Sequence, residues 1–296
     1  MRLVTFERDG DERIGAVVPD AHGRESIVDL AAVAPGLPRD MVAFLAAGQP
    51  ALALARTAVG SAGSHERLPT SSVRLLPPVP RPGKIVCVGY NYVGHGAAGA
   101  VDLPEFPDIF AKTSNTIVGP GDAVLLPRVS DQIDYEAELA VVIGTTAYDV
   151  PESSALDHVA GYTLFNDVTA RDYQARGSQF VLGKSFDTFG PLGPALVTAD
   201  EVPDPQRLDV QMTVNGVTTQ RASTADMIFT VPWLVSYLSQ TMTLRPGDVV
   251  ATGTPAKLPD AASRAQFLQP GDVMAVTISG LGTLTNVVAR REASGG

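Results

Sequence analysis

The chain has 296 residues, 45% of them hydrophobic and 18% charged, so it can bury one large core or two unequal ones. Its net charge of -10, without a basic run, argues against nucleic-acid or anionic-membrane partners, and no apolar stretch approaches the ~20 residues of a membrane span. The charged N-terminal stretch and the single cysteine, Cys87, predict a soluble cytoplasmic protein without an internal disulfide.

Residues 1–78 have the pattern of a small α+β domain. Three strand patterns, RLVTF, RIGAVV and SIVDL, precede two helical patterns, PRDMVAFLAAG and PALALARTAVG. A stretch rich in proline and serine follows at residues 66–83, and its composition predicts a boundary without regular structure. We therefore expect a second, catalytic domain over residues 79–291 and a disordered tail over residues 292–296.

The second domain is predicted to be mainly β. Three Pro-Gly-Asp triplets, which begin at Pro120, Pro246 and Pro270, each precede an apolar run and fit type II turns. The last two strand patterns, DVMAVTI and GTLTNVVA, are joined by SGLG, which is typical of a hairpin.

One segment of this domain, FTVPWLVSYLSQTM, has the pattern of a helix, with Pro232 in its first turn. An apolar stripe recurs at helical spacing, formed by Trp233, Leu234, Tyr237 and Leu238. We interpret this stripe as core or dimer interface.

Three acidic residues lie where apolar residues are expected. Glu136 and Glu138, in DYEAELAVVIG, point to the same face of a strand that continues as an apolar run. Two carboxylates about 6 to 7 Å apart repel by roughly 2 to 3 kcal/mol at an effective dielectric constant of ~20. If Asp167, in GYTLFNDVTARDYQ, comes from a neighbouring segment, Mg²⁺ or Mn²⁺ would stabilise them, with Ca²⁺ as an alternative. The ordinary interpretation is a solvated strand face.

Two further segments place polar residues beside apolar strands. In KIVCVGYNYVGH, a strand with a buried pattern runs into a loop that ends on His95. In TARDYQ, Thr169 can cap a short helix on which Arg171 and Gln174 share one face. Read alone, these residues would be a hydrogen-bonded loop histidine and a surface arginine.

Lys184 and two threonines complete the set of polar residues. Lys184 lies among glycines and aromatic residues in LGKSFDTFGPLGP, although a solvated lysine is the ordinary interpretation. The strand of VVATGTP ends on Thr252 and Thr254.

Taken in order, these segments resemble those of the fumarylacetoacetate hydrolase superfamily, metal-dependent enzymes that act on acylpyruvates and related 2-oxo acids. The resemblance covers most of the C-terminal two thirds and rests on VGYNY with its following histidine, PDIFAKTSNTIVGPGD, DYEAELAVVIG, VAGYTLFNDVTARD, LGKSFDTFGPLGP and MIFTVPWLVSYLSQTMTLRPGDVVATGTP. It implies an α+β, mainly β fold: a mixed β-sandwich roll with a small α+β N-terminal domain, assembled as a homodimer.

The resemblance also implies roles for the singled-out residues. The metal ligands would be Glu136, Glu138 and Asp167; His95 and Lys184 would be catalytic; Arg171, Gln174, Thr254 and Tyr90 would hold the substrate. The implied reaction is metal-dependent hydrolysis of a carbon–carbon bond in an acylpyruvate-type acid through an enolate. Decarboxylation or isomerisation of a 2-oxo or 2-hydroxy-dienoic acid in aromatic catabolism shares the enolate step and stays open.

One position departs from the family pattern, because Ala98 stands where many members have a glutamate partner for the loop histidine. Loss of that carboxylate should weaken general-base catalysis, unless Asp102 or Glu105 replaces it. Two interpretations therefore remain beside the enzyme: a metal- and ligand-binding protein without catalysis, and a structural β domain whose glutamates are exposed.

Overall fold

The computed structural model describes residues 1–19, 23–94, 103–263 and 267–291. The strands are β1 (Arg2–Arg8), β2 (Asp11–Pro19), β3 (Glu25–Asp29), β4 (Arg67–Pro69), β5 (Arg74–Leu76), β6 (Ile85–Gly89), β7 (Asp108–Lys112), β8 (Ile117–Val118), β9 (Ala123–Leu126), β10 (Ile133–Asp134), β11 (Ala137–Ile143), β12 (Val159–Asn166), β13 (Thr169–Ala170), β14 (Gly190–Thr198), β15 (Asp209–Val214), β16 (Val217–Ser223), β17 (Val249–Ala251), β18 (Val273–Ile278) and β19 (Gly282–Arg290).

The α-helices are α1 (Leu30–Val33), α2 (Met41–Ala46), α3 (Gly48–Ser61), α4 (Arg171–Gln174), α5 (Val181–Lys184), α6 (Val231–Thr241) and α7 (Pro259–Ser263). Short 3₁₀ turns lie between them, at Ser64–Glu66, Thr70–Ser72, Ser114–Thr116, Glu152–His158, Ala199–Glu201 and Thr224–Asp226. Strands dominate, which confirms the predicted mainly β fold class. Within the described ranges, no helix is both long and apolar enough to cross a membrane.

Most strands belong to one large mixed sheet. Its main path runs β4, β3, β2, β1, β14, β12, β11, β17, β6, β7. Neighbours along this path are antiparallel except β17 and β6, which are parallel. A second sheet, in the order β16, β15, β18, β19, β9, packs against one face of the first through a shared apolar core.

Strand β11 lies in the middle of this arrangement, and every one of its residues is buried. Leu139 and Val141 enter the core shared with the second sheet, whereas Ala140 and Val142 enter the core that includes the N-terminal helices. Because side chains alternate along a strand, Glu138 shares the face of Ala140. The sheet therefore carries a carboxylate into a region that is covered on both sides.

The N-terminal residues extend the same sheet. Strand β1 pairs with β14, where Arg2 lies opposite Val197, and β2 and β3 continue outward from β1. Residues 66–83 contain β4 and β5, which pair with β3 and β1. The prediction that this stretch lacks regular structure is therefore wrong, because its backbone completes the edge of the N-terminal strands. The division at residue 79 stays a prediction, and the tail at residues 292–296 lies outside the described residues.

The Pro-Gly-Asp triplets form the predicted turns. Their glycines, Gly121, Gly247 and Gly271, have φ values of 79°, 84° and 93°, which the third position of a type II turn requires. In each turn the aspartate carboxylate accepts the N–H three residues earlier, from Gly119 to Asp122, from Arg245 to Asp248 and from Gln269 to Asp272. The predicted SGLG hairpin also forms, between β18 and β19.

Helix α6 is capped by Thr230, the residue before its first turn, whose hydroxyl oxygen accepts the N–H of Trp233. Leu234 and Leu238 are buried in the core, as the apolar stripe predicts. Trp233 and Tyr237 are only partly buried and stack on each other, with ring centroids 4.7 Å apart.

Two of the turn aspartates provide a test of the fold. Asp248 is buried and accepts from Arg245 N at 2.7 Å and from Lys84 Nζ at 2.5 Å. Asp122, whose side chain is 22% exposed, accepts from Gly119 N and from Arg74 Nη2, both at 2.8 Å. We expect Asp248→Ala to lower the free energy of unfolding by about 3 kcal/mol, because it removes a buried carboxylate that accepts from two donors, and Asp122→Ala by about 1 kcal/mol. Urea denaturation of both variants measures the difference, and equal losses would contradict it.

Candidate metal centre and substrate pocket

The sheet topology brings three strand ends to one edge. Ala137, at the start of β11, pairs with Asn166, at the end of β12, and Ala140 pairs with Ala251, at the end of β17. Residues that precede β11 therefore lie beside those that follow β12 and β17. This explains how Asp167 reaches the glutamates of DYEAELAVVIG from a distant position in the sequence.

Glu136, Glu138 and Asp167 form a compact buried cluster. Each offers a carboxylate oxygen, and these oxygens lie within 4.8 Å of one another. Asp167 is 0% exposed and Glu138 1% exposed. A solvated strand face and a structural β domain would both have exposed glutamates. The burial of Glu136 and Glu138 therefore excludes both interpretations.

The chemistry of this cluster fits a hard divalent ion. All three side chains present oxygen, the donor that Mg²⁺, Mn²⁺ and Ca²⁺ prefer. Burial, and then the neighbouring charges of Asp167 and Glu136, raises the pKa of Glu138 well above its usual range. A bound cation would therefore favour the charged form of Glu138. Among the described residues, Glu138 Oε2 accepts one hydrogen bond, from the backbone N–H of Gly253 at 2.9 Å.

Lys184 is buried between two of the carboxylates. Its Nζ donates to Glu136 Oε2 at 2.7 Å and to Asp167 Oδ2 at 2.6 Å. Burial lowers the pKa of Lys184, but the charges of Asp167 and Glu136 outweigh it, and the net pKa is raised. Lys184 is therefore an ammonium group held against the candidate metal ligands.

A second buried lysine, Lys112, was missed at the sequence level. Its Nζ donates to Asp167 Oδ1 at 2.6 Å and to Val168 O at 3.0 Å. Burial lowers the pKa of Lys112 despite the charge of Asp167. The only available signal was a lysine inside the family-like block PDIFAKTSNTIVGPGD, which does not reveal a partner so distant in sequence.

Arg171 and Gln174 share a face of α4, as predicted, and Arg171 Nη1 donates to Gln174 Oε1 at 3.0 Å. The guanidinium also contacts Glu136 Oε1 at 2.7 Å and Asp134 Oδ2 at 2.9 Å. Asp134 in turn accepts from Lys257 Nζ at 2.6 Å. Asp134 and Lys257 are therefore further site residues that the sequence did not single out.

The predicted cap of α4 is wrong. The N-cap is Ala170, without a side-chain cap, and Thr169 lies in β13 with its hydroxyl donating to Asp167 O at 2.9 Å. That hydroxyl instead stabilises the backbone of a candidate metal ligand.

The pocket above the carboxylates has an aromatic wall and a polar floor. Tyr90, Phe110 and Phe180 line one side, and their rings meet edge to face at Phe180. Tyr90 has a φ of 54°, a left-handed conformation that is uncommon for a non-glycine residue. Thr254 lines the same pocket, and its Oγ1 accepts from Gln220 Nε2 at 2.9 Å.

The predicted base, His95, lies outside the described residues, as do Ala98 and Asp102. Val93, two residues before His95 in the sequence, donates its N–H to Asp226 O. Glu105 is exposed, and its suggested role as a replacement carboxylate stays a prediction.

Residues 84–289 match the family model of the fumarylacetoacetate hydrolase C-terminal domain. The chain belongs to the fumarylacetoacetate hydrolase superfamily. The match confirms the resemblance found in the sequence, and it contains every predicted site residue.

Curated relatives and solved structures span nearly the whole chain. The mitochondrial oxaloacetate tautomerase of Xenopus laevis is 43% identical, over 97% of this chain and 90% of its own length. A fumarylacetoacetate hydrolase from Exiguobacterium antarcticum is 38% identical, with a TM-score of 0.84 over 98% of this chain and 100% of its own. The maleylpyruvate hydrolase of Sphingobium sp. SYK-6, solved with manganese(II) and pyruvate, is 31% identical, with a TM-score of 0.80 over 99% of this chain and 100% of its own.

The superfamily thus includes tautomerases and hydrolases, and one structural neighbour binds a divalent metal ion. Carbon–carbon bond hydrolysis, aromatic catabolism, the homodimer and the cytoplasmic location stay predictions.

Removal of Lys112 tests the charge balance of the cluster. We expect Lys112→Met to lower the free energy of unfolding by about 3 to 5 kcal/mol in EDTA, because Asp167 keeps a buried charge with one partner fewer. With saturating Mg²⁺ the loss should shrink, since removing a nearby positive charge raises the affinity for a dication. Chemical denaturation with and without Mg²⁺ measures both values. The control, Lys257→Met, removes a more exposed partner of Asp134 and should cost about 1 kcal/mol or less; equal losses would contradict the assignment.

Glu138 tests the metal site itself. Calorimetric titration with Mg²⁺ or Mn²⁺ should show saturable binding in the parent protein and none in Glu138→Ala, which lacks one of the clustered oxygens. The matched control is Glu152→Ala, an exposed glutamate on a 3₁₀ turn, which should bind as the parent does. Unchanged binding in Glu138→Ala would remove the metal-centre model.

Proposed function

We propose that this protein is a divalent-metal-dependent tautomerase that interconverts the keto and enol forms of a short 2-oxo dicarboxylic acid such as oxaloacetate. The observation that carries the proposal is the buried carboxylate cluster in direct contact with Lys184 and Arg171. These groups combine hard metal ligands with fixed positive charge, which suits an anionic substrate and an enolate.

A divalent ion, when bound, would be held by Glu136, Glu138 and Asp167 and would supply Lewis acidity that favours the enolate. In ketonisation a proton is added to C3 while the enol oxygen loses its own, and in enolisation both transfers reverse. No water is consumed. The Lys184 ammonium, which keeps its proton because its pKa is raised, stabilises the negative charge that develops on the oxygen. His95 is the proposed group that carries the proton to and from C3.

The substrate carboxylates are assigned to the polar residues of the pocket. Arg171, already directed by its contacts with Glu136 and Asp134, supplies positive charge at the floor. Gln174 and Thr254 add neutral hydrogen-bonding groups, and Tyr90 contributes its ring to the aromatic wall. Arg171 and these neutral groups thus offer partners for the carboxylates of a short dicarboxylate.

Two observations favour tautomerisation over the predicted hydrolysis. Ala98 removes the usual carboxylate partner of the loop histidine, and activation of a water nucleophile would depend on that partner most strongly. The 43% identity with the oxaloacetate tautomerase of Xenopus laevis extends over 97% of this chain. Hydrolysis of an acylpyruvate is the second candidate, supported by the likeness to the maleylpyruvate hydrolase that holds manganese(II) and pyruvate. Decarboxylation requires the same enolate and is the third.

The test follows the ultraviolet absorbance of enol oxaloacetate after it is added to the protein with Mg²⁺ or Mn²⁺. We expect the absorbance to decay faster than in buffer, and both EDTA and Glu138→Ala to abolish the acceleration because each removes the metal site. Glu152→Ala should retain the rate of the parent.

Two parallel measurements separate the candidates. Pyruvate release from oxaloacetate, detected with lactate dehydrogenase, reports decarboxylation. Loss of acetylpyruvate or fumarylpyruvate reports hydrolysis. Metal-dependent loss of either acylpyruvate, without acceleration of enol decay, would refute the tautomerase and favour the hydrolase. Tight metal binding without any turnover would favour the non-catalytic binding protein.

A further inference from the structure

Gln220 is a buried polar residue of the second sheet that contacts Thr254, a residue of the pocket lining. It lies on β16, is 1% exposed, and belongs to neither the metal ligands nor the predicted substrate-binding residues. Its side-chain amide joins Ala137, between the two glutamates, to Thr254 and Pro255 after β17.

The orientation of this amide is set by two backbone groups. Gln220 Oε1 accepts the N–H of Ala137 at 3.1 Å, and Nε2 donates to the carbonyl of Pro255 at 2.6 Å. A backbone N–H only donates and a carbonyl only accepts, so turning the amide over would place donor against donor and acceptor against acceptor. Nε2 must therefore face this side of the amide, where its other N–H reaches Thr254 Oγ1 at 2.9 Å.

The fixed orientation of the amide determines which hydrogen bonds the Thr254 hydroxyl can make. Because its oxygen accepts from Gln220, its own proton is left to donate elsewhere. Among the described residues, Thr254 Oγ1 donates no hydrogen bond. Thr254 is 4% exposed and lines the pocket that also contains Glu136 and Lys184. The hydroxyl proton is therefore available to an anionic substrate oxygen in this pocket.

We propose that Gln220 is a positioning residue that fixes Thr254 as a hydrogen-bond donor to a carboxylate oxygen of the 2-oxo acid. This inference rests on the proposed function, since it needs a 2-oxo acid in the pocket. The backbone supports the same arrangement: Gln220 forms a β-bridge with Lys257, and Leu258 N donates to Thr219 O at 2.8 Å. The second sheet therefore holds the segment that follows Thr254 from both backbone and side chain.

The test is a double-mutant cycle read by calorimetric titration of pyruvate into the Mn²⁺-loaded protein. Thr254→Val should weaken pyruvate binding by about tenfold or more, the effect of losing one hydrogen bond to a charged group. Gln220→Met and Gln220→Glu should each weaken it similarly, the latter because a carboxylate would accept the Thr254 proton. Thr254→Ser, which keeps the hydroxyl, should bind within about threefold of the parent.

The decisive value is the effect of the Gln220 variants in the Thr254→Val background. If Gln220 acts through the Thr254 hydroxyl, changing it there should alter pyruvate binding little further. Additive losses would overturn the proposal, because they would show a general structural role, and so would Gln220 variants that bind pyruvate as the parent does. Melting temperature and Mn²⁺ affinity identify any variant that fails to fold, and the other Gln220 variant then completes the cycle.

The proposed function can fail separately. A parent protein that binds pyruvate but does not accelerate enol decay would refute the tautomerase while the cycle still reports on Gln220. A parent protein that does not bind pyruvate would overturn the proposal, because Thr254 would then have no carboxylate to receive its proton.

Discussion

The burial of three carboxylates at one edge of a covered sheet is the constraint on which the site depends. Unpaired buried charges are destabilising by several kcal/mol or are neutralised by a shift in pKa. Lys112 and Lys184 offset Asp167, and Lys184 with Arg171 offsets Glu136. Within the described residues, no cation lies at ion-pair distance from Glu138, and burial together with the charges of Asp167 and Glu136 raises its pKa. Of the three candidate ligands, Glu138 is therefore the one whose charged form a divalent ion would stabilise most.

The sheet makes this concentration of charge geometrically stable. The start of β11 and the ends of β12 and β17 are held in register by backbone hydrogen bonds, so the carboxylates cannot separate without breaking the centre of the sheet. The second sheet adds side-chain support from the opposite direction through Gln220. A site formed by rigid strand ends is pre-organised, which reduces the reorganisation needed when an anionic substrate binds.

Local patterns predicted much of the fold and of the site. Strand alternation placed Glu136 and Glu138 on one face, and the Pro-Gly-Asp turns and α6 follow directly from backbone preferences. The acidic cluster could be predicted from the sequence because its members lie in recognisable segments.

Long-range contacts could not be predicted from the sequence in the same way. Lys112 and Gln220 reach their partners across 55 and 34 residues, and neither differs locally from an ordinary strand residue. At Thr169 a local preference gave the wrong prediction. Threonine favours helix capping, but this residue pairs in β13 and its hydroxyl donates to the carbonyl of Asp167. What decides such positions is the packing of distant strands, which a single sequence does not express.

The pairing of β1 with β14 affects how the region that matches the family would behave without the N-terminal strands. The region that matches the family begins at residue 84, after all the strands from β1 to β5. A fragment cut there would leave the backbone donors and acceptors of β14 open along Leu196 and Val197 and would uncover the apolar face beneath α2 and α3. Open edges of this kind recruit strands from other molecules. The N-terminal segment therefore closes a strand edge at which a fragment that lacks it would pair with other molecules.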